Sequence, residues 1–150
     1  MEALIISSDQ NNLISSLLNR KVISINENDS VYDAIKVLSE QKIGALPVLN
    51  NQKKLSGMLS ERDIIQKVSL NKTIDLSHTQ VKSIMTTKII TCNQDTESNV
   101  LMTIMTNNKI RHIPIIKQGS LIGIVSIGDV VKRLLEKFNL ENAELKSWLY

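Results

Sequence analysis

The sequence predicts an α/β (α+β) fold of two β-α-β-β-α repeats, packed sheet to sheet with pseudo-twofold symmetry. Three observations predict it. First, the chain is written twice. Lys42-Ile43-Gly44-Ala45-Leu46-Pro47-Val48 recurs further on as Lys109-Ile110-Arg111-His112-Ile113-Pro114-Ile115. Gly57-Met58-Leu59-Ser60-Glu61-Arg62-Asp63-Ile64 recurs in the same order as Gly123-Ile124-Val125-Ser126-Ile127-Gly128-Asp129-Val130. A repeat of this length is one supersecondary unit. Second, short apolar runs alternate with segments of helical apolar spacing in each copy. Third, 21 Ile, 18 Leu and 10 Val stand against four aromatic residues. The expected core is therefore aliphatic, and its β-branched members suit strands as well as helices.

The elements follow in order. Asp9 is placed to cap an N-terminal helix carrying Leu13, Leu17 and Leu18. Apolar runs at 22–25 and 89–92 read as strands. Asp29-Ser30 and Asp95-Thr96 then offer N-cap side chains. Behind the first cap, Val31, Ala34, Ile35 and Leu38 recur at helical spacing; behind the second come Val100, Leu101, Ile104 and Met105. Hairpins follow at 45–49 with 55–60 and at 112–116 with 121–126, joined by short polar loops. Closing helices begin near Glu61 and Gly128. The expected boundaries are an N-terminal helical segment 1–20, a first repeat 21–70, a polar linker 71–83, a second repeat 84–137 and a helical tail 138–150. A unit of about 50 residues is marginal alone, because helices on one face of a sheet leave the other uncovered; two copies pressed together remove that problem.

Composition excludes several classes. A net charge of +3, from 18 basic and 15 acidic residues with mixed signs, does not mark a nucleic-acid surface. No apolar run approaches the roughly 18 residues of a membrane span. One cysteine, Cys92, cannot form an internal disulfide, and its apolar surroundings suggest a buried, inert thiol. These features lead us to expect a soluble, cytoplasmic protein. One Cys and two His at no zinc spacing leave no expected metal site, and neither Ser60 nor Ser126 lies in a Gly-x-Ser-x-Gly elbow.

The block Gly-x-x-Ser-x-x-Asp carries the chemistry. Ser60 and Ser126 end a strand and open a helix; Asp63 and Asp129 stand in its first turn. The amides and dipole of a helix start favour an anion such as phosphate. A carboxylate one turn in has two acceptor oxygens suited to the vicinal hydroxyls of a ribose. Arg62 adds a cation in the first copy, where the second has Gly128. The same pattern is also an ordinary N-cap with a dipole-favoured acid, and a duplicated fold duplicates its caps.

These repeated motifs, covering Leu17 to about Lys137, resemble the cystathionine β-synthase (CBS) domain, and the tandem resembles a Bateman module. Ile84-Met85-Thr86 is similar to the family's lead-in, from which Leu17-Leu18-Asn19 departs. The resemblance implies a regulatory module rather than an enzyme, with no cofactor and with an adenine nucleotide (AMP, ADP or ATP) as its ligand in clefts between the repeats. It implies that Asp63 and Asp129 hold ribose hydroxyls and that Ser60 and Ser126 meet phosphate or ribose. Ile23 and Ile90 would then flank the base, Thr86 and Lys88 would stand at the mouth, and Arg111 and His112 would reach phosphate. Gly44 and Ala45 replace that last pair in the first copy, where Arg62 compensates. By the same resemblance, the early strand of one copy serves the Asp of the other. It further implies a homodimer, consistent with the apolar tail residues Phe138, Trp148 and Leu149, and a target protein the sequence does not name. The alternatives are an S-adenosylmethionine-binding module, a nucleic-acid-binding protein and a ligand-free interaction module.

Overall fold

A computed structural model describes residues 13–149; the Asp9 cap expected above lies outside them. Among the described residues, five α-helices and five strands follow in order: α1 (Leu13–Leu17), β1 (Ile25–Asn26), α2 (Val31–Gln41), β2 (Ala45–Leu49), β3 (Leu55–Ser60), α3 (Glu61–Leu70), α4 (Ser98–Asn108), β4 (His112–Lys117), β5 (Ser120–Ser126) and α5 (Ile127–Leu149). A 3-10 turn, Val81–Ser83, precedes the second copy. The expected mixed α+β class holds, with one sheet ordered β1-β2-β3 and another of β4-β5. The chain divides into two compact units. One comprises Val22–Ile90 with Gln118–Leu121; the other takes Thr91–Lys117 and, of the described residues, 13–21 and 122–149.

In the first unit, β2 pairs antiparallel with β3, Ala45 opposite Ser60, and parallel with β1, Ile25 opposite Val48. The strand expected at 22–25 thus shrinks to its end. The cause is Pro47: one more rung of the parallel ladder would need its amide, and proline has none. The second unit repeats the effect. Of the run 89–92 only Cys92 bridges β4, its amide donating to the Pro114 carbonyl at 3.0 Å and its carbonyl accepting from Ile116 at 2.8 Å. A rung before Cys92 would need the missing amide of Pro114.

Ser30 caps α2, its hydroxyl accepting from the Asp33 amide at 3.0 Å. The second cap differs from expectation: α4 has Glu97 at its N-cap, without a side-chain bond. Thr96 is instead spent one residue earlier, its hydroxyl accepting from the Asn93 amide and donating to the Asn93 side chain, both at 3.2 Å. Such local turns compete with capping for short polar side chains. Both helices end on a lysine in the left-handed region, Lys42 and its repeat counterpart Lys109.

Each core is aliphatic, as expected. Val31, Leu46, Val48 and Leu59 centre the first, and Leu101, Met105, Ile113 and Val125 the second. A further segment closes each core. Val81, inside the stretch read as linker, is fully buried in the first core, and Leu76, Ile84 and Met85 pack beside it. Leu13, Ile14 and Leu17 of α1 pack in the second core, with Leu18 beside them. Polarity hid this role, because Asn71 to Gln80 supplies few apolar residues and Val81 follows it.

Two glycines admit these crossing segments. A Cβ on Gly57 would sit 2.5 Å from Met85 Sδ and 3.0 Å from the Thr86 carbonyl oxygen. At Gly123 the nearest atom would be Ile115 Cδ1, at 3.2 Å. The first neighbour set includes backbone and the second does not. Gly57→Ala should therefore cost about 1–3 kcal/mol by overpacking, whereas Gly123→Ala should stay within about 1 kcal/mol of wild type. Urea denaturation of both variants checks the ranking, and equal losses would contradict it.

Cys92 is buried, and that burial pushes its thiol up to about 11. At pH 8 it is almost wholly protonated, so a disulfide reagent should modify native protein slowly and denatured protein at once. Immediate labelling of the native chain would show that the thiol is open.

Candidate functional site

The two Ser-x-x-Asp corners are built alike. In the first, the Ser60 hydroxyl accepts from the Asp63 amide at 3.2 Å, while Asp63 Oδ2 accepts from the Ser60 amide at 2.9 Å and the Ser60 hydroxyl at 3.0 Å. In the second, the Ser126 hydroxyl accepts from the Asp129 amide at 3.2 Å, and Asp129 Oδ2 accepts from the Ser126 amide and hydroxyl, each at 2.9 Å. This is a reciprocal capping arrangement with Asp as its acid. The Glu61 amide donates to the Gly44 carbonyl at 3.0 Å, and the Ile127 amide to the Arg111 carbonyl at 2.8 Å. The first and third amides of each helix are thereby engaged. Only the second, of Arg62 or Gly128, is left out of these bonds, which narrows the phosphate cradle expected at the helix start.

The outer oxygens differ in partner. Asp63 Oδ1 accepts from the Thr86 hydroxyl at 3.3 Å. Backbone pairing brings Thr86 there, since its amide and carbonyl bond Met58 on β3 at 2.8 and 2.9 Å. Asp129 Oδ1 instead accepts from Arg20 Nη1 at 3.3 Å, and Arg20 Nη2 donates to Oδ2 at 3.0 Å and to the Ile124 carbonyl at 3.4 Å. Burial pushes the Asp129 carboxyl up, but the bonds from Arg20 and Ser126 and the Arg20 charge outweigh it and hold the group below its ordinary value.

Of the residues singled out in the sequence, Ser60, Asp63 and Thr86 thus share one cluster, and Ser126 and Asp129 another. Arg62 is exposed in the first turn of α3. Ile23 is half-buried beside the first core, and Ile90 is half-buried. Lys88 and Arg111 present exposed side chains, and His112, half-buried, opens β4. None of these side chains belongs to the bonds that define the clusters. His78 pairs with Asp75 at 2.7 Å, an exposed contact whose hydrogen bond lowers the Asp75 carboxyl. No metal-holding group of three His, Cys, Asp or Glu occurs among the described residues, and none of their helices is long and apolar enough to cross a membrane.

Arg20 is the residue that sequence reasoning missed. A signal for it existed. In the register that sets Lys42 opposite Lys109, Asn19 aligns with Thr86 and Arg20 with Thr87, so the lead-in serving Asp63 has a counterpart beside Asp129.

Comparison with known proteins gives these corners a family. The family model described as the CBS domain matches residues 14–70 and 81–136. A mitochondrial CBS domain-containing protein of Arabidopsis thaliana, CBSX3, is 39% identical over 126 residues, spanning 81% of this chain and 61% of that protein. The structure of a protein with CBS domains from Burkholderia ambifaria superposes with a TM-score of 0.73 at 38% identity, covering 78% of this chain and 85% of that one. A CBS domain pair solved in complex with 5'-methylthioadenosine and S-adenosyl-L-methionine superposes with a TM-score of 0.71 at 25% identity, covering 81% of this chain and 98% of that one. The repeat that the sequence displays twice is thus a CBS domain, and the chain belongs to the CBS-domain family as a tandem pair of the Bateman type.

Proposed function

We propose that the protein is a regulatory module, not an enzyme, that binds an adenosine-containing ligand at Asp63 and Asp129 and passes its presence to a partner protein. One observation carries this reading. In both corners the cap gives the inner carboxylate oxygen two bonds, while the outer oxygen bears a single 3.3 Å bond from a side chain among the described residues; at Asp129 the same arginine also reaches the inner oxygen, at 3.0 Å. A ribose offers two adjacent hydroxyl donors, and each can replace such a long bond with a shorter one. That a related domain pair was solved with two adenosyl compounds supports the ligand class. Within that class we favour AMP, ADP or ATP, because Arg62 and Arg20 put a cation beside each carboxylate or its helix. S-adenosylmethionine is the second reading, favoured by the same relative.

Regulation needs a transmitting surface, and α5 supplies one suited to a second copy of the chain. Val130 is buried and Leu134 packs on the core, while Val131, Leu135, Phe138 and Leu145 are exposed. Their steps of four, three and seven follow a heptad seam, the pattern by which helices pair. A homodimer follows, in the cytoplasm, where a single buried thiol meets no oxidising demand.

Two measurements check these readings. Calorimetry with AMP, ADP, ATP and S-adenosylmethionine should show binding, and Asp63→Ala and Asp129→Ala should each weaken it by about 1–3 kcal/mol at its own position, roughly five- to hundredfold. No binding by any of them, or unchanged affinity in the double variant, would defeat the ligand assignment. Light scattering should give a dimer for wild type and a monomer for Leu135→Glu with Phe138→Glu; a wild-type monomer would defeat the dimer.

A further inference from the structure

The two corners share the geometry of their caps, yet what a ligand must displace from them differs. At Asp63 it is the neutral hydroxyl of Thr86. At Asp129 it is a forked guanidinium that reaches both carboxylate oxygens and the Ile124 carbonyl. The mobile partner of this pair is identifiable. The Asp129 side chain is 18% exposed and tied down by Ser126, whereas Arg20 is 53% exposed. An incoming diol therefore keeps the carboxylate in place and turns the guanidinium out. Where the guanidinium goes next depends on the ligand. A planar fork that loses a carboxylate finds an equivalent in phosphate, which accepts the same two parallel bonds. A neutral nucleoside offers no replacement, and a cationic one repels it. The Asp63 corner imposes no such condition through Thr86.

We propose that Arg20 is a specificity-determining residue, making the Asp129 position selective for adenosyl ligands that carry a negative charge. This rests on the functional reading above. The consequence is a division of labour: the Asp63 position, where Thr86 is displaced and only the exposed Arg62 adds charge, discriminates less, while the Asp129 position admits the phosphorylated ligands.

Calorimetry in an Asp63→Ala background isolates the Asp129 position. There AMP should bind more tightly than adenosine or S-adenosylmethionine. Adding Arg20→Gln should weaken AMP about fivefold and tighten adenosine up to about fivefold, the scale of an exposed ion pair, so that the AMP preference collapses. Arg20→Lys, which keeps the charge, should retain most of the preference. The same ratio of AMP to adenosine affinity in the Arg20→Gln variant as in its parent overturns the proposal while leaving the functional reading intact. Binding to wild type that vanishes entirely in Asp63→Ala also overturns the proposal and confines the functional reading to Asp63, since the Asp129 position then takes no ligand. If wild type binds none of the three compounds, the functional reading fails and this proposal fails with it.

Discussion

The reciprocal bond between a serine at the end of a strand and an aspartate one helical turn later fixes the rest of this molecule. It ends β3 and β5, starts α3 and α5, and sets where each carboxylate stands. A hydroxyl has one proton and two lone pairs, and Ser60 and Ser126 spend them on one aspartate, donating to its carboxylate and accepting from its amide. The carboxylate cannot turn without losing two bonds to its inner oxygen. What the cap leaves unused is the outer oxygen at a fixed position, which accepts from Thr86 in one corner and from Arg20 in the other.

Those donors come from segments that the repeat does not assign to that half. Val81, Ile84 and Met85 close the first core and bring Thr86 to Asp63; Ile14, Leu17 and Leu18 close the second and bring Arg20 to Asp129. The close passage of Met85 over Gly57 makes that position intolerant of a side chain. Packing and ligand chemistry are thereby coupled, because displacing the lead-in disturbs both the core and the outer carboxylate oxygen. A ligand that replaces the lead-in side chain acts on the same segment, which gives binding a route to the packing around it.

Much of this was legible in the sequence. The first hairpin falls at its expected residues, since alternation and a bounding Gly and Ser mark both strands. The second runs one residue further at each inner end, because its turn needs only Gln118 and Gly119, both with positive φ, and glutamine does not advertise that conformation. The early strands are shorter than their apolar runs because apolar character shows where a strand would bury, not where a ladder can bond; the prolines that mark the repeat also cut its parallel pairing. The α4 cap lies one residue beyond Thr96 because the Thr96 hydroxyl is the partner of Asn93. The register of the repeat itself puts Ser30 opposite Glu97, and it would have placed the boundary correctly. The spacing marks the two capping aspartates, whereas Arg20 is marked only by the register of the lead-in, since its role depends on which unit the N-terminal segment joins.

The divergence between the two corners follows from this division of work. Ser60, Asp63, Ser126 and Asp129 cannot change without uncapping a helix, so duplication leaves them alike. The positions that differ are those the cap does not use: Arg62 against Gly128 at the second helical amide, Gly44 against Arg111 where only a backbone carbonyl is needed, and Thr86 against Arg20 at the outer oxygen. Gly128 is not demanded by crowding, as a Cβ there would meet Ser126 Oγ at an ordinary 3.6 Å. Each corner has one arginine, but Arg62 is carried by the helix itself and Arg20, bonded to the carboxylate, by a crossing segment. Loss of the first would alter the charge around a ligand, whereas movement of the second also alters what holds the carboxylate. On the proposed reading the two positions can therefore differ in selectivity while sharing the same fold, because the cap fixes each carboxylate and leaves the choice of its further partner, Thr86 or Arg20, to the crossing segment.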